Sequence, residues 1–460
     1  MRHSKKRFYL LFVVVATLDG YSGQFAQCNT GSPHCINHSI PINDVLPETA
    51  AQTSVLRSGT TSHNGSCAEK QIYQSENVVA SLKHLALKFN PNHAPIYDAF
   101  CNQNYTQTSG TVYTQKSVTK REDGSLILHG AISVIAKINP IITGIWPAIW
   151  LLPQDTAFTN RDGGASGVWP MSGEIDTIEM AGYNAYFSPP ETYFTTLHFG
   201  STPGADTPRG HVTIYNKNGQ SEPLSERFHR YTMEWNITLK NTQNASITAL
   251  KVSETASIQL TMYLDGKQIQ SDRRIWNSYT PDCDNGLVAT GVTNGQTCGL
   301  PEFSTPSAYM PLPSDDALPL QVFINGFNSG FRLIINVASG GGIFFNDPVG
   351  AAGATEPVTT YVKSITASTI ENMVFVPNIF NGAIIQWLEP IIPGEVIDHY
   401  QIQVSGYNVN MTMQQPAGTT QLQIPAHTFY GNRDYHVLVM AVAKSGTMLL
   451  VGENTTKIRP

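Results

Sequence analysis

The chain has 460 residues, of which 13% are Asp, Glu, Lys or Arg and 41% are apolar, with 37 Gly and 28 Pro. So little charge disfavours disordered and charge-laced helical chains, and the length and turn-rich composition point to two or three domains of strands joined by turns. A net charge of −6 argues against nucleic-acid recognition, which needs a basic surface.

The first 22 residues carry a basic group (Arg2, Lys5, Lys6, Arg7) followed by an apolar run from Phe8 to Leu18. That run falls short of the roughly 20 residues that span a bilayer, so it reads as a secretory signal peptide cut after Ser22, with an uncleaved anchor or a nuclear signal as the alternatives. Its removal takes away four cations and Asp19, moving the net charge from −6 to −9. The mature chain is then expected to be secreted and extracellular, outside any membrane, and monomeric. Cysteine and sequon usage agree. All six cysteines (Cys28, Cys35, Cys67, Cys101, Cys283, Cys298) lie beyond the cut, and none forms the Cys-x-x-Cys of a zinc or redox site. Local closure would pair them in chain order, one of many possible pairings. Seven Asn-x-Ser/Thr acceptors begin at Asn37, Asn64, Asn104, Asn236, Asn244, Asn410 and Asn454 and predict a glycoprotein.

Residues 23–56 are polar and aperiodic and read as a lead-in tied by cysteines. From 57 to 368, short apolar runs at 82–89, 126–138, 192–199, 231–238, 258–265 and 333–338 alternate with Gly, Pro, Asn and Asp clusters. No sustained 3.6-residue period occurs there. The fold expected is all-β, a jelly-roll sandwich with a cleft on a concave sheet. Residues 371–460 change character, with Trp387, an alternating Tyr400-to-Val404 run and Tyr435 to Val442. Their spacing suits a smaller seven-stranded sandwich and resembles a fibronectin type III domain.

The most informative stretch runs from Trp169 to Met180, where Glu174, Asp176 and Glu179 fall within six residues. On a strand Glu174 and Asp176 share a face, and Glu179 would point away. One extra residue near Thr177–Ile178, a β-bulge, returns Glu179 to that face. Two carboxyl groups about 5–5.5 Å apart are what retaining cleavage of a glycosidic bond requires. One attacks the anomeric carbon, and the other, kept protonated, donates to the leaving oxygen. Asp176, shorter and between them, is expected to hold the nucleophile. The alternatives are a solvated acidic strand or a calcium site of oxygen ligands. Trp146, Trp150 and Trp169 flank the acids and offer flat faces to sugar rings, although each could equally be a core tryptophan.

The run Glu174-Ile-Asp-Thr-Ile-Glu179, preceded by Trp146-Pro-Ala-Ile-Trp150-Leu-Leu-Pro153, resembles the bulged signature of glycoside hydrolase family 16, the laminarinase-like endo-β-1,3-glucanases. Supporting likenesses are Glu69 to Tyr73, Glu76-Asn77-Val78, Thr196-Leu-His198-Phe-Gly200, Phe228 to Trp235, Tyr263 to Gly266, and Phe331 to Gly342 with its Asn336-Val-Ala. The resemblance implies Glu174 as nucleophile, Glu179 as general acid/base, Asp176 in support, His198 near the reacting centre, and Trp146, Trp150, Trp169 and Asn77 in contact with sugar. It implies no cofactor and no catalytic metal. The substrate implied is β-1,3-glucan, or mixed β-1,3/1,4-glucan, with a non-hydrolytic glucan-recognition protein and a transglycosylase as alternatives. Three departures stand out: Ile135 falls where the family has an Arg, the opening strand is hard to find in 40–68, and the segment after Asp347 lacks the expected Trp.

Overall fold

The structure, a computed structural model, describes residues 35–42, 45–47, 56–58, 69–99, 101–138, 142–154, 169–180, 192–200, 209–214, 225–240, 247–271, 317–340, 352–378, 382–390, 396–407, 409–425, 428–431 and 433–458. The proposed signal peptide and its cleavage point lie outside the described residues. So do residues 341–351.

In chain order the first strands are β1 (Cys35–Ile40), β2 (Val45–Pro47), β3 (Leu56–Ser58), β4 (Gln71–Tyr73), β5 (Val78–Ala80), β6 (Leu85–Phe89), β7 (Ile96–Asp98), β8 (Gln103–Tyr105), β9 (Gln107–Ser109) and β10 (Thr111–Thr114). Then come β11 (His129–Ile138), β12 (Ile145–Pro153), β13 (Glu174–Glu179), β14 (Thr192–His198), β15 (Arg209–Ile214), β16 (His229–Leu239), β17 (Thr255–Leu264) and β18 (Lys267–Ser271). Helix α1 (Ala317–Ser329) precedes β19 (Phe331–Ser339) and β20 (Val358–Ile370). The last strands are β21 (Met373–Asn378), β22 (Gly382–Trp387), β23 (Ile397–Gly406), β24 (Val409–Pro416), β25 (Gln421–Ile424), β26 (Arg433–Ala443) and β27 (Met448–Ile458).

Two eight-stranded sheets make up most of the molecule. One runs β15-β14-β13-β12-β19-β10-β3-β2 and carries the acids; the other runs β18-β17-β16-β11-β20-β6-β5, with β1 also paired to β20. Alternation explains how they share a core. Ile145, Ile149 and Leu151 of β12, Ile175 and Ile178 of β13, and Ile335 and Val337 of β19 enter one cluster with Ile132, Val134 and Ala136 of β11 and Met233 and Trp235 of β16. The alternate residues Ala148, Trp150, Leu152 and Ile334 form a separate cluster with Tyr113 on the opposite face of the site-bearing sheet, and Trp169 packs against it.

The strands expected from the apolar runs are all present. The lead-in is more structured than its composition suggests: β1 pairs with β20 over six positions, Cys35 to Ile40 against Ile370 to Ile365. The opening strand sought in 40–68 is the short β3, which pairs with β10. The expectation of no helix in this region is corrected by α1. Over residues 320–329 of this helix only Gln321 and Asn325 are exposed, and Leu320, Val322, Phe323, Ile324 and Phe327 are all buried. A helix wrapped on nearly every side has no polar face to mark a 3.6-residue period, so its sequence reads like a buried strand. Among the described residues, no helix is long and apolar enough to cross a membrane.

The C-terminal strands form a three-stranded sheet, β21-β22-β25, and a four-stranded sheet, β24-β23-β26-β27. Seven strands in two sheets match the sandwich expected for this region. Its core centres on Trp387, Tyr400 and Tyr435, with the Trp387 and Tyr400 rings 5.3 Å apart. Leu438, Met440 and Leu450 face the other way and join the larger core. At this junction His129 sits between Asn372, 2.5 Å from its Nδ1, and Glu234, 2.8 Å from its Nε2. No cysteine among the described residues is free, and Cys35 and Cys101 are each disulfide-bonded. The other four cysteines lie outside the described residues.

Candidate active site

Strand β13 sits between β12 and β14, and its register slips in the middle. Against β12, Ile149 pairs with Ile178 but Trp150 pairs with Asp176, which leaves Thr177 as an extra residue. Against β14, Asp176 pairs with Thr196 and Glu179 with Phe194, so the same slip separates them. This is a bulge at the place the acid spacing demands. Ile175, Ile178 and Met180 enter the core, and Glu174, Asp176 and Glu179 emerge together on the other face.

Each acid has a different set of partners. Glu179 accepts the indole N–H of Trp146 at 3.1 Å and the hydroxyl of Thr196 at 3.3 Å. Glu174 accepts the indole N–H of Trp169 at 3.1 Å. Asp176 lies 3.0 Å from His198 Nε2, and Glu174 lies 3.7 Å from the same nitrogen. His198 thus bridges the first two acids, and its ring lies 5.7 Å from that of Trp169. Burial pushes the Glu179 carboxyl up to about 8, and the Asp176 charge adds to this; His198, Trp146 and Thr196 oppose it. Burial therefore favours the protonated form of Glu179, which shares one face with Glu174.

The local fold holds this geometry. A turn at Trp169–Pro170, with a cis peptide between them, leads through Gly173 into β13. Gly173 has φ of +80°, and a Cβ there would lie 2.9 Å from the Phe323 ring of α1. Gly326 of α1 lies against Ser172 in turn, where a Cβ would overlap the Ser172 carbonyl oxygen. The helix that the sequence hides is therefore the support beneath the Trp169 turn.

Glu174, Asp176, Glu179, His198, Trp146 and Trp169 come together. Trp150 lies on the acid-bearing face, opposite Asp176, and is largely covered there. It is 7% exposed, and its indole N–H goes to Asn336 Oδ1 at 2.8 Å. Asn77 is buried beside Gly110, where a Cβ would lie 2.7 Å from the Asn77 backbone carbonyl oxygen, and the side-chain amide nitrogen of Asn77 makes no hydrogen bond. Ile135 does not stand in for a cleft arginine. It lies on β11 in the other sheet, opposite Arg230 and Ser364.

Sequence reasoning named Thr196 and Asn336 in family-like segments but gave neither a role. Thr196 is two residues from His198 on one strand, so alternation places both on the acid-bearing face. Asn336 is a polar residue inside an apolar strand, which signals a buried polar partner. Metal ligation is a second chemistry open to this cluster: Glu174, Asp176 and His198 each offer a ligand atom, all within 4.8 Å of one another.

No family model matches the chain. Over 108 residues, 24% of this chain and 33% of the relative, it is 32% identical to a glucan endo-1,3-beta-glucosidase of Cryptopygus antarcticus. Over 109 residues, 23% of this chain and 26% of the relative, it is 33% identical to a beta-1,3-glucan-binding protein of Penaeus monodon. The chain thus spans a third or less of these curated relatives. Among solved structures, an endo-1,3-beta-glucanase of Streptomyces sioyaensis aligns over 75% of this chain and all of its own, at 19% identity and a TM-score of 0.45.

Proposed function

We propose that this chain is an exported, monomeric, retaining endo-glycosidase that hydrolyses β-1,3-linked glucan, with mixed β-1,3/1,4-glucan as a second substrate. The observation that carries this reading is the bulge in β13, which brings Glu174 and Glu179 to one face with a different partner set around each. Glu174 is the nucleophile. Its carboxylate attacks the anomeric carbon while Glu179, held neutral by burial, gives its proton to the departing glycosidic oxygen. Glu179, now a carboxylate, then takes a proton from water as that water's oxygen displaces Glu174. Asp176 and His198 hold the nucleophile at Oε1, and Trp169 holds it at Oε2. Trp146 and Trp169 serve twice, as donors to the acids and as apolar rims for sugar rings. No step calls for a cofactor. A net charge of −6 suits a neutral polysaccharide, which is bound by rings and hydroxyl partners rather than by opposite charge. The C-terminal sandwich is read as a fibronectin type III-like module.

A second reading, non-hydrolytic glucan recognition, is favoured by the similarity to a beta-1,3-glucan-binding protein. Retention of both glutamates weighs against it. The deciding experiment incubates the secreted protein with laminarin, lichenan and agar-type galactans and follows new reducing ends. Release from laminarin that Glu174→Gln abolishes is expected. Binding without release supports recognition, and products longer than the starting chains indicate transglycosylation.

A further inference from the structure

Glu69 is a buried carboxyl that the reaction above does not use. It is 8% exposed and lies just before β4, which pairs with β9, and the neighbouring Lys70 N–H bonds the Ser339 carbonyl at the end of β19. Its Oε2 accepts hydrogen bonds from the Gln71 side-chain amide and from the Tyr73 hydroxyl, the latter at 3.3 Å. The Tyr73 oxygen accepts the Asn336 amide N–H at 2.8 Å, and Asn336 Oδ1 accepts the indole N–H of Trp150 at 2.8 Å. Every donor in this series points the same way, from Trp150 through Asn336 and Tyr73 to Glu69. The carboxylate is the final acceptor. Tyr73 is fully buried and Asn336 nearly so, so none of these groups has water as a substitute partner. At the far end, Trp150 faces Asp176 across β12 and β13, immediately beside the bulge.

We propose that Glu69 is a positioning residue for the candidate active site, orienting Trp150, and with it the Asp176 end of the bulge, through Tyr73 and Asn336. The inference rests on the proposed reading of that site. A unidirectional series has one stable polarity only while its last acceptor carries no proton on the oxygen facing Tyr73. Once Glu69 is protonated, its hydroxyl can compete as a donor, and the order of the bonds to Trp150 loosens. Burial moves this carboxyl up to about 7, against the hydrogen bonds from Gln71 and Tyr73. The titratable groups facing it are Tyr73 and, at longer range, Tyr105, and burial raises both phenols above their usual range. Glu69 is therefore the member that changes state near neutrality.

The test uses the full chain labelled with 5-fluorotryptophan, whose six tryptophans give six fluorine resonances. Trp150 is assigned by loss of its signal in Trp150→Phe. In the wild type, the Trp150 resonance should move with pH with a midpoint of about 7, while Trp387 in the distant core stays still. Glu69→Gln should abolish that movement, and Tyr73→Phe should abolish it by cutting the series. In both variants kcat/KM on laminarin should drop about tenfold, mostly through kcat, as one misplaced hydrogen bond predicts. Lack of any Trp150 titration in the wild type, or its persistence in Glu69→Gln, overturns the proposal. The resonance reports whether or not laminarin is cleaved, so failure of the hydrolase reading is distinguishable from failure of this one.

Discussion

Trp146 donates its indole N–H to Glu179 Oε1 across 3.1 Å. Trp169 does the same for Glu174 at the same distance, so each carboxyl is held by an aromatic residue that also borders the face where sugar would lie. The contact from Trp146 stabilises the ionised form of Glu179, opposing the effect of burial. Trp146→Phe should then raise the Glu179 carboxyl further. The alkaline limb of the kcat/KM profile should move to higher pH, with an activity loss of about tenfold at neutral pH. Measuring the profile on laminarin for both proteins checks this; an unmoved limb would mean that another group gives the proton.

Glu179 also links stability to pH. Unfolded, its carboxyl loses its proton near 4.5; folded, near 8. The folded state thus keeps a proton that the unfolded state has already released. Its contribution to stability is fully present below the lower value and is lost as pH rises through the upper one. Glu69 acts in the same sense up to about 7. Glu179→Gln has no such proton to lose. Between about pH 5 and about pH 8, urea unfolding should show the wild type losing on the order of 1–3 kcal/mol more than this variant. Parallel curves would show that Glu179 is not held protonated by the fold.

The support beneath the Trp169 turn can be tested from the helix side. A Cβ at Gly326 would overlap the Ser172 carbonyl oxygen and lie 2.5 Å from the Phe331 ring. Both obstacles belong to packed structure, so Gly326→Ala should cost about 1–3 kcal/mol. It should also lower kcat on laminarin, because the turn that seats Trp169 against Glu174 must shift. Thermal unfolding and steady-state kinetics measure the two effects; a variant with wild-type stability and kcat would contradict the packing described.

The C-terminal sandwich provides a contrast. Tyr435 is fully buried, and its hydroxyl oxygen accepts the backbone N–H of Tyr430 at 2.9 Å. Tyr435→Phe should cost about 1 kcal/mol through that lost bond. Hydrolysis of laminarin should be unchanged, since Tyr435 lies in the core away from the acids. A large loss of activity at unchanged stability would imply a role for this unit in the reaction.

How much of this was legible in the sequence depends on the kind of signal. Three acids at this spacing specify both a face and a bulge, because strand geometry leaves Glu179 no other way onto the face of Glu174. The turn-bounded apolar runs located the main strands for the same reason. Helix α1 escaped because burial on nearly all sides erases the period that reveals a helix. The burial of Trp150 was not legible because a covered indole and an open one look alike in sequence; only its partner Asn336 tells them apart. The place of Ile135 in the other sheet was not legible because strand content alone does not say which of two sheets a strand joins. The buried series from Glu69 to Trp150 joins residues far apart in the chain, and it exists only once Tyr73 of β4 meets Asn336 of β19.

The central claim is that Glu174 attacks the sugar while Glu179 gives the proton. The most direct measurement exposes the protein to an activated 2-deoxy-2-fluoro β-1,3-glucoside and locates the label by peptide mass spectrometry. The account predicts one covalent glycosyl adduct on the peptide containing Glu174, absent in Glu174→Gln. An adduct on another residue, or hydrolysis of laminarin with inversion at the anomeric carbon and no adduct, would contradict it.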